Sequence, residues 1–317
     1  MDIEQRNINS ISITYKELLR EAGRQLNYRK KIIFSRIFLL AWPVMVMMIL
    51  LFVWRELIQR KILFENSPYL IPSLIFLGVW LVFTLFYYAI FSSIFAIEKR
   101  IWIVSYFDQK NLESKDSWRI AKRLLWPAIG IVGQIIIRFY LLPFVIYLFA
   151  LVVFMYYFGV ISNIPISPVL SIIIISGGLL ALIIYFYFLK IKLRFIWFIF
   201  LDSYGKERFS YKMIFKEMKK MNEISENEIF KKTLLVNIGA DSLEAITEMM
   251  IRELQKGFSV FGKPGQLFGA LFRSYSEVGT KQVISLGQIA AIYVLYRYAK
   301  LMLYNQPQEI NENIYKL

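Results

Sequence analysis

Histidine and cysteine are both absent from this 317-residue chain. Without Cys there are no disulfides, thiolate nucleophiles, iron–sulfur ligands or palmitoylation sites. Without His the commonest general base and the commonest transition-metal ligand are missing. The two absences together exclude Ser-His-Asp and Cys-His catalysis and remove the usual zinc ligand sets. No cofactor or metal is expected, although carboxylate, Lys or Tyr chemistry and a magnesium site stay open. Charge is scarce as well, at 19% of residues, below the ~25% usual in soluble domains. A short apolar stretch ending in small residues is lacking from the first ~30 positions, so no cleavable signal peptide is expected.

What is abundant is apolar sequence, 57% of residues, with a net charge of +15. The apolar residues are gathered into runs long enough to cross a bilayer. The bases crowd the ends of those runs, as the positive-inside rule requires. No nucleic-acid fold or base-reading motif accompanies the charge, so nucleic acid is not an expected partner. The expected fold class is all-α: a polytopic transmembrane bundle of five or six spans with amphipathic interfacial helices.

Taken in order, Thr14 with Glu17 forms a capping box opening an amphipathic surface helix, followed by the bases Arg29, Lys30, Lys31 and Arg36. Spans are expected at about 37–54 and 68–97, with Trp42 and Trp54 as interface anchors. Residues Glu98 to Arg123 are read as a basic internal loop, with Asp116 or Ser117 capping the next segment. A second hairpin is expected at about 124–158 and 169–189, joined by a Pro/Ser/Asn turn. Phe195 to Leu201 is read as a partly immersed extension. Residues 229–254 are either an interfacial amphipathic helix, the reading favoured here, or an embedded helix with its acids turned to a polar interior. Gly257 to Gly279 reads as a loop or re-entrant piece, and the last span as about 283–303. The favoured count is five spans plus the interfacial helix.

A pattern recurs at the foot of two hairpins. Arg100-Ile101-Trp102 runs to Asp108, and Arg194-Phe195-Ile196-Trp197 runs to Asp202. Each is followed by a hydroxyl, an aromatic and a base: Ser117-Trp118-Arg119 and Ser210-Tyr211-Lys212, with Thr14-Tyr15-Lys16 as a looser first copy. These openings lie about a hundred residues apart, and each unit holds two spans, which makes a parallel repeat. The corresponding divisions are 1–116, 117–209 and 210–317.

The candidate polar site has two parts. Arg138 lies inside a long apolar run with Gln134 one turn earlier. Arg in a membrane interior finds a partner or snorkels to the interface. It would bind an anionic group, or pair structurally with an acid. Asp241, Glu244 and Glu248 fall on one helix face, and a central acid costs roughly 2.5–3.5 kcal/mol on insertion. They form either a cation or proton relay or a solvated face. Asp108 and Asp202 are read as caps or partners of nearby bases.

Thr14-Tyr15-Lys16, the Ser117 and Ser210 openings and Tyr293-Val294-Leu295-Tyr296-Arg297 carry a resemblance. The layout resembles a group of bacterial integral membrane proteins of unknown function, and is similar to the membrane domain of some glycerophosphodiester phosphodiesterases. The resemblance implies repeated hairpins, each introduced by an amphipathic segment, over roughly residues 14–303. It carries over no catalytic residue. The functional expectation is a non-catalytic membrane scaffold or accessory subunit of an envelope or transport assembly. Its expected partners are anionic lipids and membrane proteins or further copies of itself. The alternative is a transporter or channel in which Arg138 meets the acidic face, with a carboxylate-based intramembrane enzyme behind both. The expected location is the inner cell membrane with a cytoplasmic N-terminus.

Overall fold

The computed structural model describes residues 15–59, 68–108, 110, 112–157, 168–204, 209–224 and 228–304. Among them every regular element is helical: α1 (Tyr15–Gln59), α2 (Leu70–Phe107), α3 (Ser114–Ile135), α4 (Leu142–Tyr156), α5 (Pro168–Lys192), α6 (Ile196–Ser203), α7 (Tyr211–Ile224), α8 (Glu228–Phe258) and α9 (Gly262–Tyr304). A π-helical turn, Ile136–Leu141, joins α3 to α4, and a 3-10 turn, Ser259–Phe261, joins α8 to α9. Five helical stretches are long and apolar enough to cross a membrane: Arg29–Gln59, Leu70–Phe107, Ser114–Tyr156, Ile172–Ser203 and Glu228–Tyr304. The last contains both α8 and α9. The chain is thus an all-α, multi-pass membrane protein. Thr14 and the side chain of Glu17 lie outside the described residues, as does the 158–167 turn.

The chain forms two compact units, one of Met1–Arg123 with Lys231–Ile310, the other of Leu124–Phe230 with Asn311–Leu317. In the first, α1 and α2 make an antiparallel hairpin. Trp54 Nε1 donates to Ser73 Oγ (3.2 Å) near its turn, and Trp42 Nε1 donates to the Tyr87 hydroxyl (3.1 Å) midway. Both tryptophans, expected as interface anchors, therefore also fasten the hairpin. An aromatic ladder, Trp80, Phe83, Tyr87 and Phe91, runs down α2 beside them. Helix α9 packs most extensively on α1 and runs antiparallel to it. Glu56 near the end of α1 pairs with Lys263 at the start of α9, and Gly279 faces Ile37.

Two expectations are overturned here. Glu98 to Arg123 is not a loop, because α2 continues to Phe107 and α3 begins at Ser114. Ser117 therefore lies inside α3 rather than capping it. Residues 257–279 are not a loop either: apart from the 3-10 turn they are helix. The glycines that suggested a loop serve close packing instead. A Cβ on Gly265 would run into the Phe258 carbonyl, and one on Gly269 would sit 3.2 Å from the Gln255 carbonyl oxygen. Gly262, at φ 72°, is the residue that makes the turn.

In the second unit the α3–α4 stretch stacks on α5: Tyr140 on Phe186 (4.7 Å), and Tyr147 donates to the Ile175 carbonyl (3.0 Å). The π turn directly precedes Pro143. Proline lacks an N–H, and its ring collides with the carbonyl four residues back. Widening that turn removes the collision. Phe195 to Leu201 is buried, apart from a half-buried Trp197. It is core rather than an extension immersed in lipid.

Gly269→Leu is expected to lower stability by about 1–3 kcal/mol through overpacking. Gly239→Ala, where a Cβ meets nothing within 4 Å, should leave it unchanged or raise it by up to about 1 kcal/mol. Thermal unfolding in detergent micelles reads both.

Candidate functional site

The foot of the first hairpin is the most polar part of the buried core. Glu98 is 0% exposed. Arg36, on α1, grips it with two hydrogen bonds, Nε to Oε2 and Nη2 to Oε1, both 3.0 Å. This fork-to-fork pairing is the strongest geometry available to a carboxylate and a guanidinium. Trp118, on α3, lies under the same guanidinium with its ring centre 4.1 Å away. Ser117 donates to Glu98 (3.0 Å) and accepts from Trp102 Nε1 (2.8 Å). Arg29 reaches the Leu112 carbonyl (3.1 Å), tying α1 to the connection before α3. One turn of α2 thus anchors α1 and α3 together.

Lys99 points the other way, toward α9. Its ammonium donates to Gln282 Oε1 (2.8 Å) and Ser285 Oγ (2.9 Å) and lies 5.2 Å from the Phe95 ring centre. Two successive residues of α2, one acidic and one basic, therefore hold opposite neighbours. That follows from the helix period, which turns consecutive side chains about 100° apart.

The second foot has the same order but not the same residues. Aligned on Arg100 and Arg194, the positions of Glu98, Lys99 and Ser105 hold Lys192, Leu193 and Ile199. The helix is also interrupted there, between α5 and α6. What both copies keep is the docking of the aromatic after the hydroxyl. Trp118 sits against α1 through Arg36. Tyr211 sits against α3, its hydroxyl on the Pro127 carbonyl (3.4 Å) and its ring where a Cβ on Gly130 would go. In each case the aromatic touches the first helix of the preceding hairpin. Ser210 caps α7 by accepting from Met213 N–H (3.2 Å).

Arg138 lies in the π turn of the second unit, exposed, with its guanidinium 5.2 Å from the Phe215 ring centre on α7. Among the described residues of that unit no carboxylate pairs with it. Gln134 is half-buried on α3, and nothing in the structure joins it to Arg138. The acids belong to the first unit, on α8. Glu244 and Glu248 both reach Lys281 on α9, at 3.2 and 2.9 Å, and Glu248 also faces Arg252 (3.7 Å). Asp241 is exposed on the edge of this face. The structure brings Glu244 and Glu248 together through Lys281, which no local sequence pattern marks as their partner.

This pairing belongs to a longer seam. Asn237 accepts from Gln288 (2.6 Å), and Arg273 reaches both Gln255 (3.2 Å) and Glu277 (2.7 Å). The partners run in reverse order along α8 and α9, so the two helices form an antiparallel hairpin with a polar interior. Opposite the acids, α8 exposes Leu235, Ile238, Leu243, Ile246, Met249 and Met250. Helix α8 thus has a polar face turned to α9 and an apolar face turned outward. Lys281 and Gln288 supply the polar face with partners that the α8 sequence alone does not contain.

Among the described residues no cluster of three or more Asp or Glu side chains converges in a way that would hold a metal ion. No family model, curated protein or solved structure matches the chain.

Glu98→Leu is expected to cost about 3–5 kcal/mol, because it strands the Arg36 charge in the core. Removing both charges, with Arg36→Leu added, should restore much of that loss. The non-additivity of the two unfolding free energies is the measurement.

Proposed function

We propose that this protein is a non-catalytic integral membrane scaffold, a subunit or accessory factor of a larger envelope or transport assembly. The observation that carries this reading is how the polar groups of the first foot are spent. Arg36, Glu98, Ser117 and Trp102 bond to one another, and Lys99 bonds to Gln282 and Ser285, so the network locks α1, α2, α3 and α9 in register. Its chemistry is turned inward to hold helices. The outer surfaces of α2, α4 and α5 are instead rows of exposed Leu, Ile, Val and Phe, suited to lipid and to neighbouring membrane helices.

The inner cell membrane with a cytoplasmic N-terminus is the accompanying placement. It is supported by the bases at the feet of the hairpins: Lys30 and Lys31 on α1, Lys115, Arg119, Lys122 and Arg123 on α3, and Lys190 and Lys192 on α5. The basic faces of α3 and α7 suit anionic headgroups. A second reading, transport, is supported by the polar seam between α8 and α9, where Glu244, Glu248 and Lys281 meet. Arg138 belongs to the other unit.

Gentle detergent extraction is expected to copurify defined membrane-protein partners or further copies of the chain. Lys281→Ala should leave reconstituted vesicles no different in ion permeability from those holding the parent protein. A monomer without partners whose ion flux is lost in Lys281→Ala would reject the scaffold in favour of transport.

A further inference from the structure

The α8–α9 hairpin stands out because its turn lies level with the far end of α1. Lys263, in the first turn of α9, closes an ion pair with Glu56, in the last turn of α1 (2.7 Å). At the other end of the bundle, Lys99 of α2 bonds Gln282 and Ser285 of α9, and Phe107 packs on Tyr293. The start of α1 and the end of α9 therefore lie at the same end of this unit. A path that leaves and returns to one end crosses an even number of times, whereas five crossings would separate the two ends.

We propose that α8 and α9 both traverse the bilayer, as a third hairpin, and that α8 presents its apolar face to the hydrocarbon of the lipid. At about 100° per residue, Leu235, Ile238, Leu243, Ile246, Met249, Met250 and Leu254 fall within an arc of about 160°. All seven are exposed. Thr233, Asn237, Glu244, Glu248 and Gln255 fall opposite, toward α9. On the outward arc the charged residues that bound the apolar stretch are Lys232 and Glu253, about 32 Å apart at 1.5 Å per residue. The hydrocarbon core of a bilayer is ≈ 30 Å thick.

Asp241 lies exposed beside this arc, and from Glu244 onward the charges lower the cost of the crossing because each has an opposite partner. From Glu244 to Lys281 the charged residues are Glu244, Glu248, Arg252, Glu253, Lys256, Lys263, Arg273, Glu277 and Lys281. Lys281 takes Glu244 and Glu248, Arg252 takes Glu248, Lys256 takes Glu253, Arg273 takes Glu277 and Lys263 takes Glu56. Five bases and four acids, with Glu56 as the fifth acid, sum to zero. The tip is apolar: Val260 is 83% exposed and Phe261 76%, between Lys256 and Lys263. That arrangement suits an interface, with rings and aliphatics in the lipid and ammonium groups at the headgroups.

Because the chain has no cysteine, single-cysteine variants report position directly. Val260→Cys is compared in sealed proteoliposomes of uniform orientation with Tyr69→Cys, at the α1–α2 turn, and Lys110→Cys, at the opposite foot, using a membrane-impermeant maleimide. The expected result is labelling of Val260→Cys from the Tyr69 side and none from the Lys110 side; the reverse overturns the proposal. Ile246→Cys and Met250→Cys then carry nitroxide spin labels. Collisions with oxygen exceeding those with a water-soluble nickel chelate are expected for hydrocarbon contact. A nickel excess, marking a water-facing helix, overturns it. So does protection from both quenchers with spin–spin broadening, marking a second copy seated on α8.

Discussion

The Arg36–Glu98 pair is the interaction on which the first unit depends. Neither charge is tolerable alone in that core, so each is stable only while the other is within reach. The pair therefore links two helices whose apolar faces would otherwise slide. Trp118 stacked beneath the guanidinium, and Ser117 on the carboxylate, extend the link to α3. Hydrophobic burial around it, from Ile33, Ile37, Ile94 and Ile101, is non-directional and sets no register. The bidentate geometry does.

The two hairpin feet show what the repeat requires and what it does not. Both copies dock an aromatic from the next helix onto the first helix of the hairpin, by Trp118 in one and Tyr211 in the other. The first copy adds the Glu98–Lys99–Ser117 network there, whereas Lys192, Leu193 and Ile199 occupy the places of Glu98, Lys99 and Ser105 in the second. The network is an addition specific to the place where α9 returns to the bundle, and Lys99 is its contact with that helix.

Among the described residues, the charges that join helices draw their partners from another helix or the next turn. Glu98 finds Arg36 across a hairpin, and Glu244 and Glu248 find Lys281 across the α8–α9 hairpin. Arg138 instead rests over an aromatic ring. A cation over a ring face is a weaker arrangement, worth about 0.5–2 kcal/mol. It keeps the guanidinium free to reach an interface.

The all-α class, the positions of the first four spans and the recurrence of the hydroxyl–aromatic–base opening were determined by the sequence alone. Long charge-free runs and their basic ends depend only on local composition, and a bilayer imposes its thickness on every such run. The polar core was decided by tertiary structure. Glu98 and Lys99 read as loop charges because their partners, Arg36 on one side and Gln282 and Ser285 on the other, are 62 residues and more away along the chain. The same distance hid the third hairpin. Glycines at 265 and 269 look like breakers until another helix is laid against them, and acids at 244 and 248 look solvated until Lys281 faces them. A residue's neighbours along the chain set its helix, but only its neighbours in space set whether its charge can be buried.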